Sequence, residues 1–254
     1  MSATVLLSLG VAACGGADTP VAPASSAPSP AATEDPNARE ELAGRAALAQ
    51  DHAFAGLYSL DDGSGQPRNV VATVGADGTW KVDVSGGAMG GTADVSIVSV
   101  ATGVYQCTLT SPTNPITPTC IRIADAGKRV PKAYDPRVER LFRQWLPVFT
   151  DRQAALSVSA VQPLSGAQGD CYSVDSISAS LKAPVDIGIY CYAPDGLLTA
   201  ARVDFGVLKL VSVAAGPATV PLPGAEVPGD PMGQTAPPPP PPAVLPASSA
   251  APPA

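Results

Sequence analysis

Asp77-Gly78-Thr79-Trp80-Lys81-Val82-Asp83-Val84 is the stretch from which this fold can be read. Asp77-Gly78 marks a turn, and the five residues from Trp80 alternate apolar and polar, the period-two signature of a strand with one buried face. Moving outward, Gly56–Leu60 and Asn69–Val74 precede it as strand-like runs. Ala93–Val100, Gly103–Leu109 and Thr119–Ala124 follow, with a second alternation in Tyr105-Gln106-Cys107-Thr108-Leu109. Turn signals separate the runs: Asp61-Asp62-Gly63, Ala76-Asp77-Gly78, and the pairs Gly86-Gly87 and Gly90-Gly91 at what reads as a flexible hairpin tip. Five more runs come later: Ala155–Val161, Cys171–Ile177, Ile187–Ala193, Leu198–Phe205 and Val207–Val213. Ala193-Pro194-Asp195-Gly196 is a hairpin turn within this second set.

Two helices are expected around these strands. Asn37 and Glu40 have capping-box spacing, and Leu42, Ala46, Ala49 and Ala53 recur at helical intervals up to about Gly56. A second helix is expected over 135–149, with Asp135 as N-cap, Pro136 as first helical residue and Pro147 kinking or ending the last turn. Its stripe of Val138, Leu141, Phe142, Trp145, Leu146 and Phe149 is the densest group of bulky apolar side chains in the chain. Short connections favour antiparallel pairing, and a long twisted sheet curls on itself. The expected fold is therefore α+β: a curled antiparallel sheet of about eleven strands, an incomplete β-barrel, wrapped on the N-terminal helix and the mid-chain helix. The stripe lines either its core or a cavity.

The ends read differently. Residues 1–13 form a short apolar export signal, since spanning a membrane takes about 18 apolar residues or more. No Lys or Arg precedes Arg39, although such signals normally open with positive charge. Val11-Ala12-Ala13-Cys14 resembles the lipobox of bacterial lipoproteins. That resemblance implies cleavage before Cys14 and attachment of acyl lipid, of the palmitate type, to that cysteine. Residues 14–37, with Pro20, Pro23, Pro28, Pro30 and Pro36, then form a lipidated Ala/Pro/Ser-rich tether, reaching up to ~70 Å at ~3.1 Å per residue. Residues 38–216 are the folded domain. Residues 217–254, with Pro237 to Pro242 consecutive, are expected to be a disordered Pro-rich tail. The expected location is the extracytoplasmic face of a cell membrane.

Cysteine usage agrees with export. Four cysteines follow Cys14, and Cys107–Cys120 with Cys171–Cys191 is the favoured pairing of the three, because each pair lies on neighbouring strand-like runs. No cysteine pair has the spacing of a metal site, and no metal or cofactor is expected. The net charge of −7 gives the whole chain no nucleic-acid footprint. The single histidine, His52, has no nucleophile motif beside it, so no enzymatic activity is expected.

One region departs from the acidic background. Lys128, Arg129, Lys132, Arg137, Arg140, Arg143 and Arg152 face only Asp135, Glu139 and Asp151, a local net of +4. The first six are candidate contacts for anionic lipid headgroups; the alternative is the solvated face of a core helix.

A lipidated N-terminus, a proline-rich tether, an amphipathic first helix and an incomplete antiparallel barrel together resemble the LolA superfamily. That group includes periplasmic lipoprotein carriers, LppX/LprG-type lipid-carrying lipoproteins and RseB-type sensors. Asp77 to Val84, followed by Gly103-Val104-Tyr105, is similar to its strands. The resemblance implies a non-catalytic carrier of lipid in a half-barrel cavity. The alternative of a different class is an envelope interaction or sensor module with a filled core and a protein or cell-wall partner.

Overall fold

In the computed structural model, residues 37–110, 115–177 and 183–236 are described. Cys14, the tether and Pro237 to Pro242 lie outside them. Helix α1 (Ala38–Asp51) leads into six strands: β1 (Phe54–Asp61), β2 (Arg68–Val74), β3 (Trp80–Ala88), β4 (Ala93–Val100), β5 (Gly103–Thr108) and β6 (Thr119–Ala124). A mid-chain segment containing the short helix α2 (Leu146–Thr150) follows. Then come β7 (Leu156–Val161), β8 (Asp170–Ser176), β9 (Gly188–Tyr192), β10 (Leu198–Val203), β11 (Gly206–Ala215) and the two-residue β12 (Ala225–Glu226). All eleven expected strands form, with ends within four residues of their sequence limits.

They make one open sheet in the order β12-β6-β5-β4-β3-β2-β1-β11-β10-β9-β8-β7. Every pairing is antiparallel except β12 with β6. The first and last of the eleven long strands meet at the centre, where β1 pairs β11 along its whole length. The alternation read from Trp80 holds in β3, where Val82 and Val84 are buried and Lys81 and Asp83 are less so. Successive side chains of a strand point to opposite faces, so one face takes Val82 and Val84 together with Tyr58, Val70, Tyr190 and Leu208 into the main core.

α1 and the mid-chain segment cover that face. Ala38, Leu42, Ala46 and Ala49 form the buried stripe of α1. The helix ends earlier than expected: His52 is already extended, and Ala53 precedes a strand that begins at Phe54. Asn37 sits in helical rather than extended backbone conformation. The side chain of Arg39 ties the start of α1 to the carbonyls of Asp151, Arg152, Ala154 and Leu156. At the far end the Ala193–Gly196 turn packs on the helix. A side chain at Gly196, which has φ +87°, would lie 2.5 Å from the Ala49 nitrogen, so only glycine fits there.

Helix 135–149 does not form as one element. Lys132–Tyr134 and Val138–Leu141 are 3-10 turns, and α2 spans only Leu146–Thr150. Asp135 is extended, as expected of a residue before proline. Arg137 has φ +70°, which no continuous right-handed helix accommodates. Pro147 sits in the first turn of α2, where proline is tolerated, and does not end a longer helix. The apolar stripe still faces the core.

Both disulfides form as expected between register partners, Cys107–Cys120 on β5 and β6 and Cys171–Cys191 on β8 and β9. They lie on the face away from the helices, in small clusters of their own.

Residues 217–236 correct the expected boundary at 216. They form a strap around the β6 edge. The N–H groups of Ala76 and Asp77 donate to the carbonyls of Pro217 and Ala218, the Thr219 hydroxyl donates to Asp77, and Val220 is buried. Leu222 covers the Cys107–Cys120 cluster on the disulfide face. β12 then passes the edge, and the buried amide of Gln106, on the helix-bearing face, exchanges two hydrogen bonds with the backbone of Met232 at 2.8 and 2.6 Å. Met89 and Gly90 donate to Gly233 and Gln234, so the glycine-rich tip is pinned to the strap. Ending the chain after Gly216 would strand the Gln106 amide and bare the β6 edge. The expected result is a lower unfolding temperature and concentration-dependent association, checked by calorimetry and sedimentation; an unchanged monomer would contradict the role of the strap.

Candidate functional site

The break in the mid-chain segment builds a polar cleft. It has a volume of about 840 Å³ and lies among Arg129, Lys132, Asp135, Arg137, Arg140, Gln144, Trp145, residues 183–187, Asp204 and Gln234. The Asp135 carboxylate is buried and accepts the Arg137 backbone N–H at 2.6 Å, which holds the unusual Arg137 conformation. Asp135 also receives the Arg140 guanidinium, with Nε at 2.8 Å. Arg137 bridges Asp186 at 3.2 Å and Asp204 at 2.5 Å, and its guanidinium lies 4.6 Å from the Phe205 ring centroid. The other oxygen of Asp186 accepts the Trp145 indole N–H at 3.2 Å. Tyr190 donates to the Asp186 carbonyl. Three aspartates are thus bonded to two arginines in a chain running from the core to the surface.

Beneath this chain lies Glu139, fully buried with its two carboxylate oxygens facing no hydrogen-bond donor. Burial first, and the neighbouring Asp135 charge second, push its carboxyl well above the usual carboxylate range; Arg140 opposes this more weakly. The shift favours the protonated form of Glu139, whose O–H can donate to the Asp135 carboxylate.

The six candidate headgroup residues separate. Arg129, Lys132, Arg137 and Arg140 line the cleft. Lys128 is exposed in the turn after β6. Arg143 turns the other way and donates to the Gln50 carbonyl at 2.9 Å, closing the C-terminal end of α1. Arg152 lies in a second groove, between α1 and α2. The six apolar candidates all enter the main core, none more than 5% exposed. Phe142 meets Tyr58 edge-on at 4.9 Å, and Phe149 meets Tyr190 at 5.1 Å.

Sequence reading missed Asp186 and Asp204, which lie 46 to 67 residues beyond the arginines they bond; the one local signal was an aspartate between apolar Val185 and Ile187. His52 sits at the end of α1, 3.9 Å from Asp195 and edge-on to Phe54. Among the described residues no cluster of three or more His, Cys, Asp or Glu side chains is arranged to hold a metal ion. No helix among them is long and apolar enough to cross a membrane. No family model and no curated protein matches the chain.

Proposed function

We propose that this chain is a lipid-anchored module on the extracytoplasmic face of a cell membrane, acting by non-covalent binding through its surface cleft. The observation that carries this reading is the filled concave face. A carrier of LolA type needs room between sheet and helices for acyl chains. Here Val138, Leu141, Phe142, Trp145, Leu146 and Phe149 occupy that room, packed on Tyr58, Tyr172, Tyr190 and Tyr192. The sensor or interaction branch of the LolA resemblance fits such a core better than the carrier branch. Two disulfides suit an oxidising compartment, and Cys14 with its proline-rich tether suits surface display.

The test joins anchoring and cargo. Cys14→Ala is expected to move the protein from the membrane to the soluble fraction, and native mass spectrometry of the wild type is expected to show no lipid beyond the covalent anchor. Equal membrane retention of the variant would defeat the anchor, and a stoichiometric non-covalent lipid would restore the carrier reading.

A further inference from the structure

Two cations of the cleft are unused by the fold. Asp135, Asp186 and Asp204 are each bonded to Arg137 or Arg140. Arg129 and Lys132 have no carboxylate partner among the described residues, yet both line the same cleft. Arg129 is not simply a loose surface arginine. Its guanidinium lies 5.4 Å from the centroid of the buried Trp145 ring, close enough for attraction to the π-face to hold it. Trp145 is itself fixed by its indole bond to Asp186. The amide of Gln144 lies in the same lining.

We infer that the Arg129–Lys132 wall of this cleft is a binding site for a phosphate group, borne by a soluble phosphate ester or by a phospholipid headgroup. The inference rests on the reading of the cleft as the binding surface and gives that surface a ligand class. The charge balance sets the sign: four cations face three carboxylates in the cleft, and the surplus sits on one wall. The existing ion pairs set the place. Arg137 and Arg140 offset two of the three aspartate charges, and Arg129 and Lys132 outweigh the third, so an anion entering meets its strongest attraction at Arg129 and Lys132. The geometry favours phosphate over carboxylate. A carboxylate has two oxygens, which one arginine fork can occupy alone. A phosphate has further oxygens and charge for a lysine, a point donor, and for a neutral amide as well.

The experiment uses the full chain carrying Cys14→Ala, titrated with glycerol 3-phosphate by calorimetry and tryptophan fluorescence. In parallel it is tested for binding to phosphatidylcholine vesicles with and without phosphatidylglycerol. Arg129→Gln and Lys132→Gln, at exposed positions, are each expected to weaken binding about tenfold, the scale of one charge-assisted hydrogen bond. Lys209→Gln on the exposed surface of β11 is expected to leave it unchanged. Binding of both the ester and the anionic vesicles, lost in the two cleft variants, identifies a headgroup site. Binding of the ester alone, lost in the same variants, identifies a soluble ligand. Failure of both probes overturns the inference, and so does binding that the cleft variants leave intact or that Lys209→Gln weakens equally. None of these failures touches the filled-core reading, which a non-covalently retained lipid would refute.

Discussion

Phe142→Ala should destabilise the domain by about 3–5 kcal/mol, the cost of deleting a buried aromatic side chain whose surroundings cannot collapse into the space. The surroundings of Phe142 are rigid for identifiable reasons. Its ring stands edge-on to Tyr58, and the Tyr58 hydroxyl is tied to the Leu198 carbonyl at 2.9 Å. Tyr58 sits on β1, beside the bulge in its pairing with β11, at the centre of the twelve-strand sheet. Neither the strand nor the ring can move inward without breaking a buried hydrogen bond. Against a total stability of about 5–15 kcal/mol the loss is large. Urea unfolding of wild type, Phe142→Ala and Phe142→Leu checks it, with the leucine variant expected to recover most of the loss. If the alanine variant unfolded within about 1 kcal/mol of wild type, the site would be yielding or open, and an acyl-chain cavity would again be a live reading of this face.

The sheet was legible in the sequence because a half-buried strand must alternate, and because Asp-Gly and Pro-Asp-Gly turns punctuate the alternation. Ala93–Val100 and Thr119–Ala124 form with the limits their sequence suggests. The mid-chain segment was only half legible. Spacings of three and one along Val138 to Phe149 report that these side chains share a buried side, and a 3-10 turn followed by a short α-helix satisfies that as well as one long helix does. Pro136 reads as a first helical residue, but the left-handed Arg137 depends on the Asp135 carboxylate and on two distant partners, Asp186 just before β9 and Asp204 just after β10. The strap was illegible for another reason. Its composition offers little apolar area beyond Val220 and Leu222, and it is held largely by backbone hydrogen bonds to Asp77, Thr79, Gln106 and the glycine-rich tip. Composition registers burial and misses that kind of attachment. The cleft combined both cases: its cations stood together in the sequence, while two of their three carboxylates were distant.

Glu139→Gln should remove a pH dependence of stability that the wild type carries above the acidic range. The sign follows from which state holds the proton. The folded carboxyl is raised well above its ordinary value by burial and by Asp135, whereas the unfolded one titrates near 4.3. Below that value both states are protonated, and Glu139 adds no slope. Above it the unfolded chain releases its proton while the fold still retains one, so unfolding becomes easier by up to about 1.4 kcal/mol per pH unit. The slope ends once pH passes the folded pKa and both states are ionised. Glutamine keeps a donor for Asp135 and never ionises, so the variant should match the wild type near pH 4 and gain on it as pH rises between the unfolded and the raised folded pKa. Denaturant midpoints taken across that interval give the difference directly. Parallel curves would mean that Glu139 is already ionised in the fold. Arg140 would then have to serve two carboxylates, and Asp135 would lose part of the ion pair that shapes the cleft above it.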